Sequence, residues 1–182
     1  MDDLIPKSAV PPGSIGLMRI GGLLGRAIMI GQAVVGDASR WTHVFIALDD
    51  GTALEAMPEG ARIRPMDLDG DPPVLIGWKR DLTDAQRQRI VDVARQYEGC
   101  GYSFTSYFAI YMAHAGWVPR RFERYIAKSH RQICSALADH IYHEAGIELF
   151  DDGRPPHSVT PGDLAGRFEW GDFEMIRLGR RD

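Results

Sequence analysis

The sequence predicts an α+β fold on three observations. Strand-like runs stand before and after the helix-like ones; two apolar runs flank a D-D-G turn as in a β-hairpin; and two segments open on capping signals. Strands that do not alternate one by one with helices imply a small antiparallel sheet packed by helices. The chain has 182 residues, 45% of them apolar, which is enough for one ordinary core. No repeat or long linker interrupts it, so residues 1–182 read as one domain.

The elements follow in order. "SIGLMRIGGLLGRAIMIGQAVVG", residues 14–36, is the most membrane-like stretch, but Arg19, Arg26 and six glycines interrupt it. It divides into a strand at Ile15 to Ile20, a turn at Gly21-Gly22 and a helix from about Leu23 to Val35. Leu24, Ala27, Ile28, Gly31 and Val34 share one face of that helix. "RWTHVFIALDDGTALEAMPEG" reads as a hairpin, with strands near Trp41 to Leu48 and Thr52 to Ala56. "PPVLIGWKR" is a further strand whose prolines mark its start. Thr83 and Gln86 form a capping box, followed by the stripe Ile90, Val93, Ala94 and Tyr97 and closed by Gly99. "GYSFTSYFAIYMAHAGWVPRRF" is helical from about Thr105 to Ala115, with Pro119 ending or following it.

"RQICSALADHIYHEAG" then forms a helix with Cys134, Leu137, Ala138, Ile141 and Ala145 inward and Gly146 at its carboxyl end. Two starts fit it. A capping box of Ser129 and Gln132 would bury Cys134 in the second turn, whereas a start near Ile133 would set the sulfur over free backbone N–H groups. Thr160 caps a short helix with Pro161 at its first position, and "FEWGDFEMIRLG" ends the chain with a strand.

A formal net charge of −4 offers no global basic field, so nucleic acid is not an expected partner. Cys100 and Cys134 are too few for a disulfide framework and form no C-x-x-C pair, which fits a reduced compartment. "MDDLIPKSAVPPG" has no basic region leading into an apolar run, so a cytoplasmic location is expected, with delivery by lysis or a phage particle left open. No spanning segment is expected. His140 and His143 have a metal-ligand spacing, but no second cysteine or carboxylate cluster completes a site, so they read as flanking a buried stripe and no metal or cofactor is expected. Arg120, Arg121 and Arg124 read as a solvated face, and His157 lies in a loop without a nameable partner.

Chemistry centres on Cys134. An ordinary thiol is only a few per cent thiolate at neutral pH, so a catalytic cysteine needs a helix amino terminus, an imidazolium, or both. His43, inside the apolar run T-H-V-F-I-A, is a source of the second. Its own partner depends on hairpin register. If D-D-G is a three-residue loop with Gly51 left-handed, Phe45 pairs with Glu55, and Glu55 shares the His43 face one diagonal away. A two-residue loop at Asp50-Gly51 would pair Glu55 with Ile46 and turn it to the opposite face.

"SIGLMRI" before an apolar helix, then "WTHVFIALDDGTALEAMPEG", "GWKRDLT", "GCGYSF", "ICSALADHIYHEAG" and "VTPGDL" together resemble the permuted papain-like cysteine hydrolases. The likeness is to the YiiX/YaeF-like branch of the NlpC-type superfamily, related to lecithin retinol acyltransferase-like proteins, and it runs from about Gly13 to Leu164. It implies a permuted papain-like fold in which the histidine and an acidic residue precede the cysteine. By position it implies Cys134 as nucleophile, His43 as general base, Glu55 as third member, and Tyr102 lining the site and helping to hold an oxyanion. Thr42 replaces the family's serine, Phe45 its small residue, Ala136 its acidic residue and Ser103 its aspartate.

Each residue also has a plain structural reading. Cys134 alone would be an inert buried thiol, His43 a core or edge histidine, and Glu55 an edge-strand charge. It is their order and spacing together that favour chemistry. Cys100, in a G-C-G turn, is structural. Tyr107, Phe108, Tyr111 and Trp117 are core aromatics or, in the sharper reading, part of an acyl or peptide groove. The expected activity is cleavage of a peptide or isopeptide amide through a thioester, on a peptide, peptidoglycan-type or lipid acyl substrate. The alternatives are a lipid acyltransferase or thioesterase, and a non-catalytic binding module.

Overall fold

The computed structural model describes residues 9–34, 38–57, 60–66, 68, 73–100, 134–154 and 158–178. Six strands form one sheet: β1 (Ile15–Met18), β2 (His43–Ala47), β3 (Thr52–Met57), β4 (Gly60–Pro65), β5 (Val74–Lys79) and β6 (Phe173–Leu178). Their order is β4-β3-β2-β1-β5-β6, with every neighbouring pair antiparallel. The described helices are α1 (Gly22–Val34), α2 (Asp84–Gln96), α3 (Cys134–Glu144) and α4 (Pro161–Phe168). The α+β expectation therefore holds, and the sheet has one strand more than the sequence reading gave.

β2 is buried along its whole length, which explains its unbroken apolar run. Val44 and Ile46 belong to a large core cluster with Ile90, Val91, Leu137, Ile141 and Tyr142, while Phe45 and Ala47 belong to a second cluster with Met66, Val74 and Ile76. Alternation along the strand sends these residues to opposite faces. Phe45, standing where the family resemblance implies a small residue, is accommodated from across the strand pair. Its partner is Gly16, and a Cβ there would lie 1.9 Å from the Phe45 ring.

The helices obey their local signals. Thr83 and Gln86 make the capping box of α2, and Gly99 takes a left-handed φ of 80° beyond its end. Thr160 and Asp163 make the capping box of α4 behind Pro161. α3 buries Cys134, Leu137, Ala138 and Ile141 as expected, and Ser135, Ala136, Asp139 and Tyr142 as well. It packs on β2, β3 and α2, and α4 packs on β6.

Three expectations are corrected or fall outside the described residues. β1 ends at Met18, because Ile20 has left the ladder to donate its N–H to Thr42 Oγ1 at 2.8 Å. β4 was not anticipated; it is an outer strand carrying Arg62, Arg64 and Pro65, a composition that keeps a sheet edge from pairing further and hides the alternation of a strand. The Thr105 to Ala115 helix, Tyr102, Ser129, Gln132, Arg120, Arg121, Arg124 and His157 lie outside the described residues. Among those described, no helix is long and apolar enough to cross a membrane.

Candidate active site

The hairpin between β2 and β3 decides what His43 faces. Leu48 N–H donates to Thr52 O at 2.8 Å, and Gly51 holds a φ of 75°, so Asp49, Asp50 and Gly51 form a three-residue loop. Asp50 Oδ1 accepts from Thr52 N–H at 3.1 Å, and one Arg95 nitrogen reaches Asp49 at 2.7 Å and Asp50 at 2.9 Å. Hydrogen bonds from Thr52, and then from Arg95, hold the Asp50 carboxyl down at about 2. The register that follows pairs Phe45 with Glu55, and the two-residue alternative does not occur. Glu55 thus shares the His43 face on the adjacent strand.

The backbone leading into His43 is fixed on three sides. Gln32, fully buried on α1, donates from Nε2 to Trp41 O at 3.0 Å, Thr42 N–H donates to Met18 O at 3.0 Å, and Thr42 Oγ1 receives the Ile20 N–H. His43 itself is 3% exposed. Its Nε2 lies 3.6 Å from Glu55 Oε2, an ion-pair contact beyond the reach of a formed hydrogen bond, and has no hydrogen-bond partner among the described residues. The Cys134 side chain lies near enough to the ring to act on its charge. Burial pulls the ring's pKa down, but the nearby Cys134 side chain and then the Glu55 carboxylate push it up, leaving it at about 9. An imidazole so placed keeps its proton at neutral pH.

Cys134 is the first described residue of α3 and is buried. Ser135, beside it, donates from Oγ to Val159 O at 2.7 Å. The structure therefore brings Cys134, His43 and Glu55 together from three parts of the chain. Among the described residues it does not bring in His140, His143 or Cys100. His140 is half-buried edge-on to Tyr97, 5.8 Å between ring centres, with Glu144 at 3.3 Å; His143 is exposed and reaches Glu148 at 2.6 Å. Cys100 is half-buried, and its carbonyl accepts from Ala61 N–H at 2.8 Å, a structural link between β4 and the end of α2. Among the described residues no group of three His, Cys, Asp or Glu side chains is disposed to hold a metal ion.

Gln32 and Ser135 escaped the sequence reading. The available signal was weak: Gln32 is, with Arg26, one of two polar residues in an otherwise apolar helix, and Ser135 simply adjoins the cysteine.

An antiparallel six-stranded sheet with a buried cysteine helix packed against its central strands defines an α+β protein with the YiiX-like fold. One solved structure with this likeness is that of the metalloprotein YiiX from Escherichia coli O157:H7: TM-score 0.51, 14% identity, covering 92% of this chain and 96% of that one. No protein-family model matches the sequence, and no curated protein does. At this identity the likeness is one of fold.

Proposed function

We propose that the chain is a cysteine hydrolase in which Cys134 attacks an amide carbonyl, His43 moves the proton and Glu55 orients the imidazole. The observation that carries this reading is a buried histidine that has a buried cysteine side chain near it and contacts a carboxylate through its Nε2. With Nε2 toward Glu55, Nδ1 is the nitrogen left for the thiol. His43 takes the thiol proton, and the thiolate forms a C–S bond to the carbonyl carbon. The tetrahedral oxyanion collapses, the C–N bond breaks, and the leaving amine departs with the His43 proton. Water then gives a proton to His43 and its oxygen to the thioester, releasing a carboxylic acid and the thiol. A Cys134 backbone N–H at the head of α3 would steady the oxyanion. Tyr102, whose help there the family resemblance implies, lies outside the described residues.

The Escherichia coli protein of like fold is described as a metalloprotein. Among the described residues no three His, Cys, Asp or Glu side chains are disposed to hold a metal ion, and no step above runs through one.

A lipid acyl substrate is the second reading, favoured by the apolar helix α1, where Ile30 stays 65% exposed. The test is residue-resolved alkylation by iodoacetamide, followed by peptide-amide and acyl-ester probes. Cys134 should react faster than Cys100 near neutral pH and slow in His43→Ala; equal rates for both thiols, with no His43 effect, would leave only a non-catalytic module. Acyl release to an alcohol or amine in preference to water would move the assignment to an acyltransferase.

A further inference from the structure

The two halves of the candidate site are joined by hydrogen bonds that the reaction itself does not use. On the histidine side, Gln32 Nε2 donates to Trp41 O, two residues before His43. The other end of the same amide accepts from Gly162 N–H at 2.9 Å, in the first turn of α4. On the cysteine side, Ser135 Oγ donates to Val159 O, just ahead of that turn. Gln32, Ser135 and Val159 are each fully buried, and Trp41 and Thr160 nearly so.

The piece between the two links is stiff. Pro161 fixes its own φ. Thr160 N–H donates to Asp163 Oδ2 at 2.9 Å, Asp163 N–H returns to Thr160 Oγ1 at 3.0 Å, and Arg154 holds Asp163 at 2.5 Å. A buried amide with both ends satisfied has one orientation, since turning it would leave a donor and an acceptor unmade.

We propose that Trp41, Gln32, the Val159 to Gly162 turn and Ser135 form a buried brace that sets the separation of the His43 ring from the Cys134 sulfur. Gln32 and Ser135 are then positioning residues, acting through the backbones of the residues that do the chemistry. The inference rests on the cysteine-hydrolase reading, and its test separates the two.

Cys134 alkylation by iodoacetamide is followed across pH in the wild type, Gln32→Met, Ser135→Ala, the double variant, and Ile76→Val as a core control in the other cluster. Each single variant lowers the neutral-pH rate by about tenfold, the scale of a small misplacement. Each also moves the inflection toward the ordinary thiol value of about 8.5. Because both act through one brace, the double variant loses no more than the worse single. Ile76→Val, with a similar fall in melting temperature, keeps the wild-type profile. Wild-type profiles in both singles, losses that multiply in the double variant, or an equal shift in Ile76→Val would overturn the brace while leaving the hydrolase reading intact. A wild-type Cys134 as slow as an ordinary thiol and indifferent to His43→Ala would remove both. If Gln32→Met does not fold, Ser135→Ala, which loses one hydroxyl, decides the matter by the same profile.

Discussion

In the proposed reaction, the proton that passes between Cys134 and His43 governs what the site can do. A ring held at about 9 stays protonated where a free histidine is mostly neutral, and a protonated ring beside the sulfur favours thiolate. The direction of the pH effect follows. His43 has a folded value above its ordinary 6.5, so its stabilising contribution is complete below that value and is lost as pH rises through about 9. Turnover of an amide substrate should therefore persist through neutral pH and fall on an alkaline limb near 9, read as kcat/KM against pH. Cys134→Ala removes the stronger of the contacts that raise the ring, so the His43 value, followed by NMR titration, should drop below 9 in that variant. A ring still titrating at about 9 without the sulfur would mean that the thiol does not hold the proton there. His43→Ala should cost about a hundredfold or more in kcat/KM, and Glu55→Gln, which keeps shape but removes charge, about tenfold. Cys134 and His43 were legible as a candidate pair because residue type, order and spacing point the same way, whereas Glu55 hung on the hairpin register. Gln32 was not, since a polar residue on an apolar helix gives no hint of which backbone groups it meets.

The hairpin converts one glycine into the identity of a third residue. Gly51 supplies the left-handed φ that makes the loop three residues long, and that length turns Glu55 toward the His43 face. The sequence left two registers open because D-D-G suits both loop lengths; the Arg95 clamp that holds Asp49 and Asp50 comes from a helix forty-odd residues on, beyond local reading. β4 was illegible for a different reason: its charges serve the sheet edge and mask the period of two. The pairing of Gly16 with Phe45 is equally non-local, a large ring filling the space that a missing Cβ leaves. Gly16→Ala drives a methyl into that ring and should cost about 1–3 kcal/mol by overpacking. The double variant Gly16→Ala/Phe45→Leu should recover part of the loss in urea unfolding, whereas additive losses would show that the ring is free to move aside.

Across the whole molecule, the same helix that offers Cys134 to the sheet also carries a buried charge that the proposed chemistry does not need. Asp139 is 7% exposed on α3. Burial raises its carboxyl first, nearby Glu148 and Asp152 add to that, His143 and Arg154 oppose it, and the net value is about 6. Binary patterning predicted the inward stripe of α3 but not this residue, because the 147–154 segment that brings Glu148, Asp152 and Arg154 near it is irregular and has no period to read. A carboxyl whose folded value lies above its ordinary 3.8 favours folding while protonated. Its contribution is therefore full below 3.8, declines as pH rises, and is gone above about 6, so that at neutral pH the charge is a standing cost. The full shift corresponds to about 3 kcal/mol, and because the carboxylate's surroundings are only partly desolvated, about 1 kcal/mol is the expected figure. Asp139→Asn should thus stabilise the protein at pH 7 by about 1 kcal/mol and leave it unchanged near pH 4, measured by urea denaturation at both. A neutral-pH stability that falls in the variant would mean that the ionised carboxylate is an asset to the fold and would reverse the sign argued for it.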